Sequence, residues 1–184
     1  MDESYAAICG ITEDEMLTQM QEDMGMLATK LNISSEEVLL KLKENYDGYH
    51  FTWPSPDIYN PFSLLNALAD SKLNSYWFGS GTPTYLIEML NKYHVKPQQI
   101  GARKVLAESF DAPTERMVDI TPLLYQSGYI TIKDYSSLTN LYTLDIPNKE
   151  VRMGLMKSLL PNYLHQYTAD AVSYTHLTLP TILR

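Results

Sequence analysis

The stretch that decides the fold covers residues 46–90 and reads YDGYHFTWPSPDIYNPFSLLNALADSKLNSYWFGSGTPTYLIEML. Aromatic residues recur every few positions in it, and signals that start helices separate them. Asn60 followed by Pro61 predicts a helix N-terminus, because Asn caps helices well and Pro fits the first helical turn. Thr82 followed by Pro83 predicts a second helix start in the same way. The stretch therefore predicts two helices that carry aromatic side chains between them.

Upstream of this stretch, the sequence predicts one long helix that is rich in methionine. Thr12 and Glu15 have the spacing of a capping box, in which each side chain bonds the backbone amide of the other residue. The apolar residues that follow at helical spacing are Met16, Leu17, Met20, Met24, Leu27 and Leu31. We interpret this stripe as core packing, and an adaptable methionine groove is the alternative.

A second predicted helix leads into the aromatic stretch. Ser34 or Ser35 caps a helix over 36–45, and Gly48 is placed to end it in a left-handed conformation. The apolar face of this helix consists of Val38, Leu39, Leu42 and Tyr46. Residues 49–52 are predicted to be a short strand, and the two prolines that follow require a loop.

The two helices of the aromatic stretch are each predicted to bury an apolar face. For the first helix this face is Leu64, Leu65 and Leu68, and for the second it is Tyr85, Leu86, Met89 and Leu90. We further expect one buried aromatic cluster to join the helices, made of Tyr46, Tyr49, Phe51, Phe62, Trp77 and Phe78.

The pattern changes after residue 118, whereas residues 95–118 have weak periodicity and predict no clear element. A short helix is predicted from Thr121 to Tyr125, with its end near Gly128. Residues 129–133 and 141–146 alternate as strands do and are predicted to pair as an antiparallel hairpin. The buried face of the hairpin is predicted to carry Ile130 and Ile132, and the final helix, capped by Asn148, covers it through Val151, Leu155 and Leu159.

Composition limits the function classes. The net charge of -8 and the pI of about 4.9 oppose a strong grip on nucleic acid, which depends on Lys and Arg. Cys9 is the single cysteine, so an internal disulfide is impossible, and its apolar neighbours predict a buried side chain. No apolar run approaches the ~20 residues of a membrane span. The acidic start also lacks a secretion signal, so we expect a cytoplasmic chain without a membrane partner.

Three motifs that could carry chemistry were weighed. Gly79-Ser80-Gly81-Thr82 precedes a helix but lacks the Lys of a phosphate-binding loop, so we expect a cap. The pair Pro56-Asp57 with Asp70-Ser71-Lys72 spells a nuclease motif, but it lies on a loop and a helix instead of adjacent strands. His50, His94 and His165 have no metal-ligand spacing and are expected to be surface or half-buried residues. We therefore predict no catalytic, cofactor-binding or metal-binding residue in this chain.

The aromatic stretch resembles the C-terminal half of the AAA-ATPase-like domain of bacterial proteins that also carry a PD-(D/E)XK nuclease-like domain. The residues that carry the resemblance are Tyr46, Asp47, Gly48, Tyr49, Phe51, Asn60, Pro61, Phe62, Trp77, Gly81, Thr82 and Pro83. The resemblance implies a mainly α fold with a small β-hairpin. It places the helical lid-side part in residues 1–92 and a winged-helix-like module in residues 93–168.

The resemblance also implies a function for the parent protein. ATP and Mg would bind to a nucleotide core upstream, a nuclease-like domain would follow, and this chain alone would be inactive. Its role would be to pack on the core and relay its state. A nucleic-acid-binding winged helix and a helical protein-interaction module are the alternatives. Residues 169–184 resemble the translation of a sequencing adaptor and are predicted to be a non-native tail, a natural β-prone tail being the alternative.

Overall fold

A computed structural model describes residues 6–80, 84–96, 99–114 and 117–159. The helices are α1 (Glu13–Gln19), α2 (Gln21–Leu31), α3 (Ser35–Tyr46), α4 (Pro61–Asp70), α5 (Thr84–Lys92), α6 (Ala107–Phe110), α7 (Thr121–Gln126) and α8, which is helical over 149–159. The strands are β1 (Ile11–Thr12), β2 (Ile58–Tyr59), β3 (Arg103–Val105), β4 (Thr131–Ser136) and β5 (Leu141–Asp145). The chain is therefore mixed α and β, with two small antiparallel sheets of order β1-β2 and β3-β5-β4.

The N-terminal helices start where the sequence predicts. Thr12 and Glu15 form the capping box of α1, with the Thr12 amide 2.9 Å from the Glu15 carboxylate. The prediction of one long helix is wrong, because Met20 leaves the helical conformation and separates α1 from α2. The Thr18 hydroxyl donates to the carbonyls of Asp14 and Glu15, a contact that bends helices just before this break.

Helices α1 to α4 enclose a first hydrophobic core, the helical core. Its buried residues are Met16, Met24, Leu27, Ala28, Val38, Leu42, Tyr46, Tyr59, Leu64, Ala67 and Leu68. Ser34, and not Ser35, caps α3 and forms a capping box with Glu37. Leu65 is 49% exposed, which corrects the predicted face of α4, because Ala67 and not Leu65 shares the inward side with Leu64.

The loop between α3 and α4 also differs from its prediction. Residues 49–52 are not a strand: Tyr49 alone pairs with Ile58, by two backbone hydrogen bonds of 3.2 Å. Residues 51–54 form a series of bends that leads into the loop predicted at Pro54 and Pro56. Asn60 caps α4 as predicted, since its side chain accepts from the Ser63 amide.

The predicted hairpin is present as β4 and β5, with an irregular register between Ile132 and Asp134. Strand β4 begins at Thr131 and extends into the predicted turn as far as Ser136. β3 adds a third strand from the segment without clear periodicity. Ile130 and Ile132 are buried as predicted. Tyr129 and Thr131, on the opposite face, are buried too. Trp77 packs on Tyr129, and the His50 amide donates to the Thr131 hydroxyl.

The second core, the sheet core, lies between this sheet and helices α5 to α8. Its buried residues are Tyr49, Ile58, Leu86, Leu90, Ile100, Phe110, Ile120, Leu123, Leu124, Tyr129, Ile130, Ile132, Leu144, Ile146, Val151, Leu155 and Leu159. α8 contributes Val151, Leu155 and Leu159 as predicted. Tyr85 of α5 is 57% exposed and not packed. Helix α4 thus packs in the helical core and α5 packs in the sheet core. The predicted domain boundary at residue 92 stays a prediction.

The single aromatic cluster expected from the sequence is not formed. Tyr46 lies in the helical core, Tyr49 lies in the sheet core with Phe51, Trp77 and Phe78 packed against it, and Phe62 is 56% exposed. Cys9 is exposed and not buried, because it lies in a turn ahead of β1. In the part of the chain that the structure describes, no helix is long and apolar enough to cross a membrane.

Candidate functional site

The turn after α3 meets the start of α8 and the strand β4. Gly48 has a φ of +92°, and a side chain there would approach the Pro147 carbonyl to 2.6 Å, so only glycine fits the turn. Lys133 of β4 donates its Nζ to the Gly48 carbonyl at 2.5 Å and to the Pro147 carbonyl at 3.2 Å. Burial lowers the pKa of Lys133. The lysine is thus an internal tie between the turn and the sheet.

Asn148 has two roles at this position. Its side-chain oxygen accepts from the Val151 amide at 3.1 Å, which is the predicted cap of α8. Its amide nitrogen donates to the Asp47 carbonyl at 3.0 Å. The hydroxyl of the buried Tyr49 contacts the side chains of Asn60 and Asn148. The start of α4 and the start of α8 are therefore joined through one tyrosine.

Two carboxylates are buried beside these contacts. Glu150 is 3% exposed and accepts from the amides of Tyr76 and Trp77 at 2.6 and 2.9 Å. Asp47 is also 3% exposed, and Lys43 lies 3.9 Å from its Oδ2. Burial raises the pKa of Asp47 to about 6. Among the described residues, the Oδ1 of Asp47 and the Oε2 of Glu150 have no hydrogen-bond partner.

We call this set the polar junction. It consists of Asp47, Gly48, His50, Thr131, Lys133, Asn148 and Glu150. Burying polar groups away from water is costly unless they pair, so a set of this size specifies one arrangement of the two cores. Asp47, Gly48 and Tyr49, three of the residues that carry the predicted resemblance and are called signature residues below, lie in this junction or against it.

His50 is more buried than the sequence predicts, at 6% exposure. Its backbone amide donates to the Thr131 hydroxyl, and that hydroxyl donates to the His50 carbonyl, both at 2.8 Å. Its ring contacts the Ser55 hydroxyl at 3.1 Å and the Asp57 carboxylate at 2.7 Å. The hydrogen bond from His50 holds the pKa of Asp57 below its usual value.

Serine, histidine and aspartate in contact raise the question of nucleophilic catalysis. In such triads the hydroxyl gives its proton to the histidine. Here the Ser55 hydroxyl donates to the Thr52 carbonyl at 2.9 Å, so its proton is already engaged. The three residues also lie within one short loop and fasten it to β4. We assign them a structural role.

The other candidate residues are not brought together into a site. Asp57 pairs with His50, whereas Asp70 ends α4 and its side chain accepts from the Tyr76 hydroxyl. His94 is exposed. In the described ranges, no group of three His, Cys, Asp or Glu is arranged to hold a metal ion. Gly81, Thr82, Pro83, His165 and the predicted tail lie outside the described residues.

The sequence did not single out Glu150 or the contact of Lys133 with the turn. Glu150 lies in the first turn of α8, where an acidic residue is ordinary, so nothing marked its contact with the chain 73 and 74 residues earlier. The one sequence signal that could have identified it is its position directly beside Val151, on the side of α8 that was predicted to face the core.

A comparison with curated proteins finds a relative of this chain. The chain is 28% identical over 169 residues to an uncharacterised protein in the vnfD 5′ region of Azotobacter chroococcum mcd 1. The match covers 89% of this chain and 30% of that protein, so the chain spans about a third of the length of the curated relative. No family model matches, and no solved structure matches.

Proposed function

We propose that this chain is the helical lid-side part of an AAA-ATPase-like protein with a winged-helix-like module, and that it packs on a nucleotide-binding core and relays its state. The observation that carries the proposal is the exposure of Phe62. The signature residues Tyr46, Asp47 and Tyr49 are buried, yet Phe62 is 56% exposed and Leu65, one helical turn further, is 49% exposed. An apolar pair on the outer face of α4 fits a surface that another part of the parent protein covers.

The polar junction supports the relay. α4 begins at Asn60, whose side chain contacts the Tyr49 hydroxyl, and Tyr49 contacts Asn148 at the start of α8. We propose that a displacement of α4 is passed to α8 through these side-chain contacts of Tyr49. The relative from Azotobacter is about three times as long as the matched region, which is consistent with flanking polypeptide that could form such a core.

The test is a binding titration between this chain and the polypeptide encoded directly upstream in the genome, with and without ATP and magnesium. We expect nucleotide-dependent binding, and we expect Phe62→Ser with Leu65→Ser to weaken it at least thirtyfold. Leu138→Ser is the matched control, because Leu138 is 93% exposed in the β4–β5 turn, far along the chain from α4. Equal binding by the double variant would refute the proposal.

A second measurement separates the chain from its proposed core. Because the sequence lacks a phosphate-binding loop, calorimetry of the chain alone with magnesium and ATP should give no heat of binding. Micromolar affinity would place a nucleotide site in this chain and contradict the proposal.

The interaction-module alternative has one observation in its favour. Met26 of α2 is 55% exposed beside a cleft lined by Gly25, Thr29 and Lys30. If Met26→Ser abolishes binding in the titration while the Phe62 and Leu65 variants do not, the binding surface is α2. Nucleic-acid binding through Lys133 has less support, because its ammonium group is partly buried on two carbonyls. Tight, salt-dependent binding of DNA to the chain, if lost in Lys133→Ala, would favour the nucleic-acid-binding alternative.

A further inference from the structure

A small aromatic cavity opens on the sheet side of the molecule, next to the polar junction. Trp53, which lines it, packs against the His50 ring with centroids 5.0 Å apart. The volume of the cavity is about 140 Å³. Aromatic residues from the loop after α3, from α6, from α7 and from β5 supply most of its wall: Phe51, Trp53, Phe110, Tyr125 and Tyr142. Ile132 of β4 is buried beneath them. Five separate parts of the fold thus converge on one opening.

The aromatic rings hold one another in place around this cavity. Phe110 packs edge-on against Tyr125 with ring centroids 4.7 Å apart, and against Tyr142 at 5.4 Å. Tyr142 also packs on Tyr135 at 4.6 Å. Rings packed on one another in this way give the cavity a fixed aromatic wall.

Among the described residues that line the cavity, Asp111 is the one with an acidic or basic side chain. It follows α6 directly, it is exposed, and its negative charge adds to burial in raising the pKa of Tyr125 to about 12. The phenol of Tyr125 therefore stays neutral around neutral pH, next to this carboxylate. An anion would be repelled at this position, and an uncharged apolar group would gain nothing from the carboxylate.

From this arrangement we propose that the cavity binds the methylated ammonium head of a small organic cation. Aromatic faces attract such cations, and a methylated ammonium loses less hydration on entering than an ammonium does. The volume is well below the roughly 300–1,000 Å³ of pockets for drug-sized ligands, so it suits a head group whose remainder stays in solvent.

The test uses the intact chain and follows the indole N–H signals of its two tryptophans by NMR. Trp53 lines the cavity, whereas Trp77 packs on Tyr129 and serves as the internal control. The probes are choline, its uncharged isostere 3,3-dimethylbutan-1-ol, and ethanolamine. We expect choline to shift the Trp53 signal with millimolar affinity, and the other two to bind at least tenfold more weakly.

Variants separate the local carboxylate from the overall charge of the chain. Asp111→Asn should weaken choline binding at least fivefold, whereas Glu108→Gln, which removes the same charge from exposed α6 outside the cavity, should leave it unchanged. Tyr142→Leu should weaken it about tenfold. Equal binding of choline and its uncharged isostere, or no shift of Trp53 with any probe, would overturn the proposal.

One further probe, compared with choline, distinguishes a methylated side chain of a protein from a free small molecule. A peptide with trimethyllysine that binds tenfold more tightly than choline would place the head group on a protein partner. Equal affinity would indicate a free small molecule. Both results support the site and differ only in its natural occupant.

Discussion

The helical core and the sheet core depend on contacts of different range. The helical core takes all its buried residues from positions 16–68, and capping boxes within four residues start α1 and α3. The sheet core takes its residues from positions 49–159, and hydrogen bonds between residues 81 and 101 positions apart fasten it to the turn after α3. The helical core is therefore complete without the sheet, whereas the sheet core needs a turn that the helical region supplies.

The largest expected effect comes from truncating the tyrosine that joins the two regions. Tyr49→Ala removes a core aromatic ring and its hydroxyl contacts, and a loss of about 3–5 kcal/mol in the free energy of unfolding is expected. Trp53 and Trp77 both pack against the sheet core, so fluorescence reports that core. In a denaturant titration of this variant, the midpoint of the fluorescence transition should fall below the midpoint of the transition measured by far-UV circular dichroism. Coincident transitions would show that the helical core cannot stand alone.

The control for that result lies in the other core. Leu27→Ala, at a fully buried position of α2, should lower both transitions together, because the sheet core depends on the helical one. A variant that left fluorescence at its original midpoint would reverse the proposed order of dependence.

A somewhat smaller loss is expected at Glu150. Glu150→Ala leaves the buried amides of Tyr76 and Trp77 without their charged acceptor, at a cost of about 3 kcal/mol. Glu150→Gln keeps an acceptor and should cost less than half as much. Glu44→Ala removes an exposed partner of Lys149 and should cost about 0.5 kcal/mol or less. Urea unfolding of the three variants checks this order, and equal losses would contradict it.

Replacing Asp47 should raise the free energy of unfolding, whereas the substitutions above lower it. The pKa of Asp47 is raised by burial to about 6, so the folded state binds the proton more tightly than the unfolded state does. The stability that this group contributes is present at low pH and is lost as pH rises from about 4 to 6. Asp47→Asn should therefore stabilise the chain by about 2 kcal/mol at pH 7 and by little near pH 3.5.

Unfolding measured across this pH window checks the prediction for Asp47. Glu108→Gln removes the same charge from an exposed position and should leave the pH dependence unchanged. A loss of stability in Asp47→Asn at pH 7 would mean that the Lys43 pair outweighs the burial of the carboxylate.

The smallest effect belongs to the local interactions of the helical region. Ser34→Ala removes the cap of α3 and should cost about 1 kcal/mol. Ser35→Ala, at the first helical position, makes a matched control and should be nearly neutral. Thermal unfolding of the two variants decides between them, and equal losses would mean that the side chain of Ser34 does not act as the cap.

The same difference in range explains what the sequence predicted. The caps at Thr12 and Asn60, the left-handed Gly48 and the hairpin follow from neighbours in the chain, and the structure confirms them. Strand β3 and the Glu150 contacts depend on partners tens of residues away and left no local pattern.

The wrong predictions have a related cause. A stripe of helical spacing shows that a side is apolar, but it does not show which of its edges another element covers. Leu65 and Tyr85 were assigned to the interior on that basis and are exposed, and so is Phe62, which was expected in the aromatic cluster. For the candidate site, the signature residues indicated where to look, while the chemistry of the polar junction required the fold.

The long separation between the turn and its partners also orders events during synthesis. After residues 47 and 50 leave the ribosome, Asn148 and Thr131 emerge 101 and 81 residues later. At about 5–20 residues per second, this delay lasts roughly 4–20 s, and the last residues of the helical core emerge early in it. For that interval the Asp47 carboxylate remains hydrated, and the arrival of α8 is the step that removes it from water.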